Sequence, residues 1–368
     1  GAREVVGGAQ LVARLGDLVL PVTSRAPAET DGAFRYVDLS TVDASTKSLT
    51  EPKLLDWSDA PSRARQRLAG GDVLVATVRP NLNGVAVVPH DLEGAIGSTG
   101  FCVLRADPAQ LDNRYLFHWV RSTPFVAAMT RLATGASYPA VSDATVKSSE
   151  IPLPPLLEQR RIASILDEVQ VATRLRRQAI DLIALGIDSL FFDMTPSDAI
   201  PVPLGSVLKL SSGRFLPTKA MAGSGTVAVY GGNGVSGRHD EAMYDSRQIV
   251  VGRVGAYCGV VHVTEEKSWV TDNAMVVSWR EVDFELDYLA AALKNANLNQ
   301  FASQSGQPLI SAARLEGAVL RMPARAVQRE YVARLRSLHK IQTLHERHLA
   351  KLGELFESLQ HRAFSGQL

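Results

Sequence analysis

Part of this chain is written twice, and that repetition constrains its fold more than any other feature. Sliding the first half forward by 169 positions sets Pro139 on Pro308, Ser142 on Ser311, Pro154 on Pro323, Gln159 on Gln328 and Arg160 on Arg329. Each copy continues into a long proline-free run in which one set of positions alternates by three and four. In the first run these are Leu166, Val169, Thr173, Arg176, Ile180, Ile183, Ile187 and Leu190. In the second they are Leu335, Leu338, Gln342, His345, Leu349, Leu352, Phe356 and Leu359, each again 169 residues later. That spacing is the coiled-coil period, and the polar interruptions coincide as well as the apolar positions. A duplicated unit of globular segment plus long helix predicts approximate internal two-fold symmetry. Such a molecule is suited to reading two separated copies of something, and DNA half-sites are the natural case.

The intervening segments read as β-rich. In the first, Phe34–Leu39, Asp72–Val78, Val85–Val88 and Gly100–Leu104 are strand-like, and one helix is expected from Asn113 to Leu132. In the second, Val227–Tyr230, Arg247–Val251, Gly259–Val263 and Ala274–Val277 are strand-like, and one helix is expected from Leu286 to Phe301. The Pro-rich junction at Ile151–Pro155 is extended and its last proline can open a helix, while Pro196 stops that helix after about 39 residues, or ~58 Å. The organisation is therefore a globular domain over 1–150, a long helix over 151–196, a second domain over 197–322 and a second long helix over 323–368. The fold class is α+β: two β-rich domains in pseudo-two-fold arrangement, joined by two long helices that pack antiparallel as a coiled coil.

Catalytic signatures are missing from the sequence. There is no phosphate-binding G-x-x-x-x-G-K-[ST] loop, and neither a Gly-rich cofactor loop nor an Asn/Asp-Pro-Pro-aromatic loop for methylating a flipped base. Glu265-Glu266-Lys267 lies between strand runs and reads as a charged hairpin tip rather than part of a nuclease. His345 and His348 are a seam residue and its neighbour, without metal-ligand spacing. Cys102 and Cys258 sit in apolar runs, as buried thiols of a reducing cytoplasm do. No stretch is long enough to span a membrane. With 39 basic and 38 acidic residues the net charge is only +1, so a chain that held DNA would either bind through a few basic edges or leave most of the electrostatics to partner subunits.

What remains is a set of polar loops at equivalent places. Arg79, Asn81 and Asn83 bring a guanidinium and two amides to one tip, and can pair with guanine and adenine edges or simply close a turn. In the second copy Arg253 and Tyr257 take the corresponding place. Upstream lies Tyr230-Gly231-Gly232-Asn233-Gly234-Val235-Ser236-Gly237-Arg238, where the glycines let the backbone approach a ligand such as a phosphate, and Asn233, Ser236 and Arg238 can donate to it. Ser137-Tyr138 and Gly306-Gln307, each just before a proline, complete a candidate reading surface.

At the junctions and turns the chain resembles the specificity subunits of type I restriction-modification systems. The residues that carry the likeness are Ile151 through Ala163, Tyr36-Val37-Asp38-Leu39-Ser40, Gly71-Asp72-Val73-Leu74 with Val78-Arg79-Pro80, Tyr230 through Gly234, and the C-terminal His361 through Leu368. The second junction, Leu320-Arg321-Met322-Pro323, departs from the fuller proline run, and Glu158 has Val327 as its counterpart. The resemblance implies a non-catalytic address reader in the prokaryotic cytoplasm, associated with the nucleoid. Two target recognition domains would each read half of a bipartite, asymmetric site in double-stranded DNA. The helix pair would set the gap between the halves. Two modification (methyltransferase) subunits would dock around Glu158, Gln159, Arg160, Gln328 and Arg329, bringing the S-adenosylmethionine. Restriction and motor subunits, with ATP and Mg2+, would join a full complex. The rival expectations are a two-domain protein scaffold and the specificity half of a methyltransferase or nuclease.

Overall fold

The computed structural model describes residues 3–4, 11–24, 32–221, 225–279, 284–303 and 306–368. The chain separates into two compact units, residues 1–176 with 348–368, and residues 177–347, so the division falls within both long helices. Each unit is described in turn. Five helices matter below: α1 (Asn113–Val120), α2 (Thr123–Leu132), α3 (Leu156–Met194), α4 (Leu286–Asn295) and α5 (Arg325–Phe364).

In the first unit, Val85–Val87, Val73–Ala76, Phe101–Ala106 and Val19–Leu20 form a four-stranded antiparallel sheet in that order. The two central strands are buried along most of their length, so their sequences are near-continuous apolar runs rather than alternating ones. A second sheet takes the order Lys53–Asp56, Ala33–Val37, Ile96–Ser98, Ala64–Arg67, with Ala33–Val37 and Ile96–Ser98 parallel. The second unit repeats the plan. Val261–Val263, Ile249–Gly252, Ala274–Trp279 and Leu208–Ser212 form the four-stranded sheet. Gly234–His239, Val227–Gly231 and Ser268–Val270 form the other, again with one parallel pair. The duplication read from the helices thus extends through strand order and direction.

The single helix expected over Asn113–Leu132 is two. The break falls at Arg121-Ser122 because Pro124, which lacks an N–H, is accommodated in the first turn of α2 and not inside a helix. The helix expected over Leu286–Phe301 ends at Asn295, and a 3-10 turn over Leu298–Phe301 follows Asn297 in the left-handed region (φ 50°). The long helices run as their sequence period implies.

Both long helices enter the cores of the domains. In the first unit Ile162, Ala163 and Leu166 at the start of α3 share a core with Tyr115, Leu116 and Phe117 of α1 and with Ala363 and Phe364 at the end of α5. In the second unit Leu190 and Phe191 near the end of α3 share a core with Tyr288, Leu289 and Leu293 of α4 and with Tyr331, Val332 and Leu335 near the start of α5. Within each unit the start of one long helix lies by the end of the other, which is antiparallel pairing.

Candidate nucleic-acid interface and the domain latches

The candidate loops of the first unit are zipped together by backbone bonds. Arg79 N donates to Pro139 O (2.7 Å) and Val141 N to Thr77 O (2.9 Å), which joins the Arg79 turn to the Ser137-Tyr138 loop. Arg79 adopts φ 52°, a left-handed conformation unusual for a side chain of its size, and its guanidinium lies 4.7 Å from the Tyr138 ring centre. Tyr138, Ser137 and Asn81 are exposed. Asn83 takes the turn-closing alternative. Its side-chain amide turns inward, donating to Arg121 O (3.0 Å), and its backbone carbonyl receives Lys47 Nζ (2.5 Å), so it closes the turn from within. Burial pushes the Lys47 ammonium down to about 8, and the neighbouring Arg121 adds to the shift.

The second unit builds the same double loop. Gly255 N donates to Pro308 O and Ile310 N to Arg253 O (both 2.9 Å), so Arg253 and Tyr257 meet the Gln307 loop. Gly252 is needed for the close approach to the Gly-rich turn: a Cβ there would lie 2.6 Å from Gly232 O and 2.1 Å from Tyr257 O. Arg253 N donates to Asn273 O (2.9 Å), and Arg253 Nη1 donates to Ser212 Oγ (3.2 Å). The structure therefore gathers Asn233, Arg253, Tyr257 and Gln307, with Ser236 beside Asn233 on the hairpin. Arg238 departs from the group. It lies at the far end of that hairpin, where it donates to Thr226 O and stands 3.6 Å from Glu265. Phe215, Asp272 and Asn273 join the cluster although nothing in the sequence singled them out.

The residues expected to face partner subunits split in two. Glu158 is partly exposed and is gripped by Arg161 (2.7 and 2.9 Å), which holds its carboxyl below the usual range. Arg160 and Arg329 are also exposed, near Asp112 (3.9 Å) and Glu285 (3.5 Å). Gln159 and Gln328 are not docking residues. Gln159 is 1% exposed; its Oε1 accepts from Asp112 N (2.9 Å), and its Nε2 donates to Gln110 O (3.0 Å) and Pro154 O (2.9 Å). Gln328 repeats this, accepting from Glu285 N (3.1 Å) and donating to Pro323 O (3.0 Å). Asp112 and Glu285 are the residues that open α1 and α4, so each glutamine latches a recognition domain's helix to its long helix.

Beside the latches the two copies differ in charge. In the first, Arg114 of α1 meets Asp167 of α3 (2.5 Å); in the second, Asp287 of α4 faces Arg336 of α5 (3.9 Å) and also holds Arg247 (2.5 Å). Asp167 further accepts from the fully buried His118 (2.8 Å). Burial is the main influence on His118 and outweighs that hydrogen bond, pushing the imidazole down to about 4, so it donates as the neutral ring. Burial would raise Asp167, but the bonds from His118 and Arg114 outweigh it and hold the carboxyl at about 2.

α3 exposes apolar side chains in each unit: Val171 and Leu175 in the first, and Leu182, Leu185 and Phe192 in the second. In the first unit Val171 and Leu175 line a groove of about 520 Å³ with Arg114, Arg160 and Asp167. Ile341, Leu344 and Leu355 are exposed on α5. Exposed apolar stripes on long helices are the physical mark of a helix-binding face.

Among the described residues no group of three or more His, Cys, Asp or Glu side chains could hold a metal ion, and no helix is long and apolar enough to cross a membrane. Cys102 and Cys258 are both buried, free thiols.

Two β-rich units of the same topology, each latched to a long helix and each carrying a zipped pair of polar loops, define a DNA-specificity architecture. The chain belongs to the type I restriction modification DNA specificity domain family, whose model matches residues 67–184 and 196–354. It is 31% identical over 146 residues to the type I restriction enzyme EcoprrI specificity subunit of Escherichia coli, covering 38% of this chain and 35% of that protein. It is 23% identical over 194 residues to the HindI specificity subunit of Haemophilus influenzae, covering 51% and 42%. The chain thus aligns with less than half the length of either curated relative. Among solved structures, a chain from a type I restriction-modification assembly matches with TM-score 0.68 at 27% identity, covering 97% of this chain and 98% of that one. The HsdS subunit from Thermoanaerobacter tengcongensis matches with TM-score 0.52 at 28% identity, covering 97% of each. The S subunit from M. genitalium, at 15% identity, TM-score 0.62 and 96% and 95% coverage, shares the fold.

Proposed function

We propose that this chain is the sequence-specific DNA-reading subunit of a type I restriction-modification complex. Each unit reads one half of a bipartite, asymmetric duplex site through its zipped loops, and the long helices set the unread gap. The observation that supports this most directly is the pair of equivalent loop clusters, Arg79 with Ser137, Tyr138 and Asn81 in one unit, and Arg253 with Asn233, Tyr257 and Gln307 in the other. Guanidinium, amide and hydroxyl groups on rigid loops can pair with base edges in the major groove or bind phosphates.

The chain itself carries out no chemical step in this reading. Two modification subunits supply S-adenosylmethionine and methylation, and restriction subunits, where present, supply ATP-driven cleavage with Mg2+. The exposed apolar side chains of α3 and α5 suit helices of those partners, and the net charge of +1 suits a reader whose partners share the phosphate contacts. Such a complex works in the cytoplasm on chromosomal DNA.

The test is a genome-wide map of methylated bases in cells carrying the cognate modification subunit, with and without this gene. A two-part motif with a fixed gap, present only with the gene, supports the proposal. An unchanged map, with both proteins expressed and associated, refutes it in favour of a protein scaffold.

A further inference from the structure

Beside the Gly-rich turn of the second unit lies a hollow of about 680 Å³, with Phe215 on its rim and Asn233, Asp272, Asn273 and Thr271 along its walls. Its floor is Gly231. A Cβ placed there would lie 3.6 Å from Thr271 Oγ1 and 3.7 Å from Ser236 Oγ, so the glycine keeps open the space between two hydroxyls. Thr271 is 4% exposed; its backbone N–H bonds Tyr230 O (2.8 Å), but its hydroxyl has no hydrogen-bond partner within the described protein. A buried, unpartnered hydroxyl facing a hollow is costly unless something occupies that hollow. Phe215 is 68% exposed, although the backbone before it is fixed by Gly213 N to Ala274 O (3.0 Å) and Arg214 N to Val270 O (2.9 Å). An aromatic ring is therefore held in solvent by a fixed loop.

The charge of the lining decides the ligand class. Among the described residues no lysine or arginine lines the hollow, and Asp272 does. Arg253, whose backbone meets Asn273, turns its guanidinium to Ser212, which lies outside the lining. A phosphate is disfavoured here. A carboxylate accepts from the exocyclic amino group of adenine or cytosine, and a carboxamide can donate to adenine N7. An exposed phenyl ring suits the thymine methyl of the same pair.

We infer that this hollow receives the major-groove edge of one A·T pair in the half-site read by the second unit. Asp272 accepts the free N6–H of adenine, Asn233 or Asn273 donates to adenine N7, and Phe215 lies on the thymine methyl. The inference rests on the DNA-reading function proposed above.

The assembled modification complex tests it, carrying the wild-type chain, Gly231→Ala, Asp272→Ala or Phe215→Ala. Gly231 has ordinary φ, so its alanine variant puts one methyl group between the Thr271 and Ser236 hydroxyls without backbone strain, and thermal denaturation checks that all variants fold. Methylated-motif maps and competition binding with single-pair variants of the site are the readouts. Gly231→Ala and Asp272→Ala should make one A·T position in one half-site degenerate, reducing discrimination there about ten- to a hundredfold, and leave the other half unchanged. Replacing the thymine by uracil should weaken wild-type binding severalfold and leave Phe215→Ala unaffected. Relaxation at a G·C position, an equal loss across all sequences, or an unchanged motif overturns the inference. Absence of any bipartite motif with the wild-type chain overturns the DNA-reading function itself.

Discussion

Replacing Gln159 isolates the latch that ties a recognition domain to its long helix. Gln159→Ala removes three hydrogen bonds at a site that is 1% exposed and strands one backbone N–H and two carbonyls. At about 1 kcal/mol net per bond, the loss is about 3 kcal/mol. For a unit of about 200 residues that corresponds to a fall in midpoint temperature of roughly 6–12 °C. Native-state hydrogen exchange gives the local readout, because the Asp112 amide loses its acceptor and should lose protection first. Gln159→Glu sharpens the test. The mutant carboxyl would face the Gln110 and Pro154 carbonyls where the amide now donates, so only its protonated form can bond them. Its folded pKa is raised above the unfolded value near 4.3, so folding takes up a proton above that pH and stability falls as pH rises. Gln159→Glu should therefore be less stable than Gln159→Ala at pH 7 and recover towards pH 4. Unchanged Asp112 protection in the alanine variant, or a wild-type-like glutamate variant at pH 7, would refute the latch.

Two further outcomes are expected. His118 has its folded pKa near 4, below its unfolded 6.5, so the unfolded chain protonates first and stability is lost as pH falls through that window; between pH 7 and 4.5 the wild type should lose about 2 kcal/mol in denaturant titrations, and His118→Gln should flatten that slope. Leu182→Asp with Leu185→Asp, both exposed on α3, should leave the thermal midpoint within a few degrees of wild type yet reduce association with the modification subunit at least tenfold by size-exclusion or titration measurements.

The periodic parts of this molecule were legible in its sequence. The seam from Leu166 to Leu190 repeats at Leu335 to Leu359, and a long helix leaves no ambiguity of period. Arg79 and Tyr138 were both singled out, and a backbone zipper brings them together. Gln159 and Gln328 were misread because a glutamine beside charged residues at a helix start looks solvent-facing. Only the fold reveals that the amides of Asp112 and Glu285 need its oxygen. Asn83 stayed open in the sequence for a related reason: a turn carboxamide reaches a base edge or its own neighbours equally well, and here it donates to the carbonyl of Arg121. Asp272, Asn273 and Phe215 carried no signal, because they reach the Gly-rich turn only through strand pairing distant in sequence.

The reversed ion pairs bear on how a duplicated chain avoids confusing its own halves. The two latches are nearly interchangeable, since glutamine grips a backbone amide in each, and they do not by themselves tell one domain from the other. Arg114 opposite Asp167 and Asp287 opposite Arg336 do. Exchanged docking would set Arg114 against Arg336 and Asp287 against Asp167, like charges in both places. The polarity therefore favours each of two domains of common ancestry on its own helix over the other's.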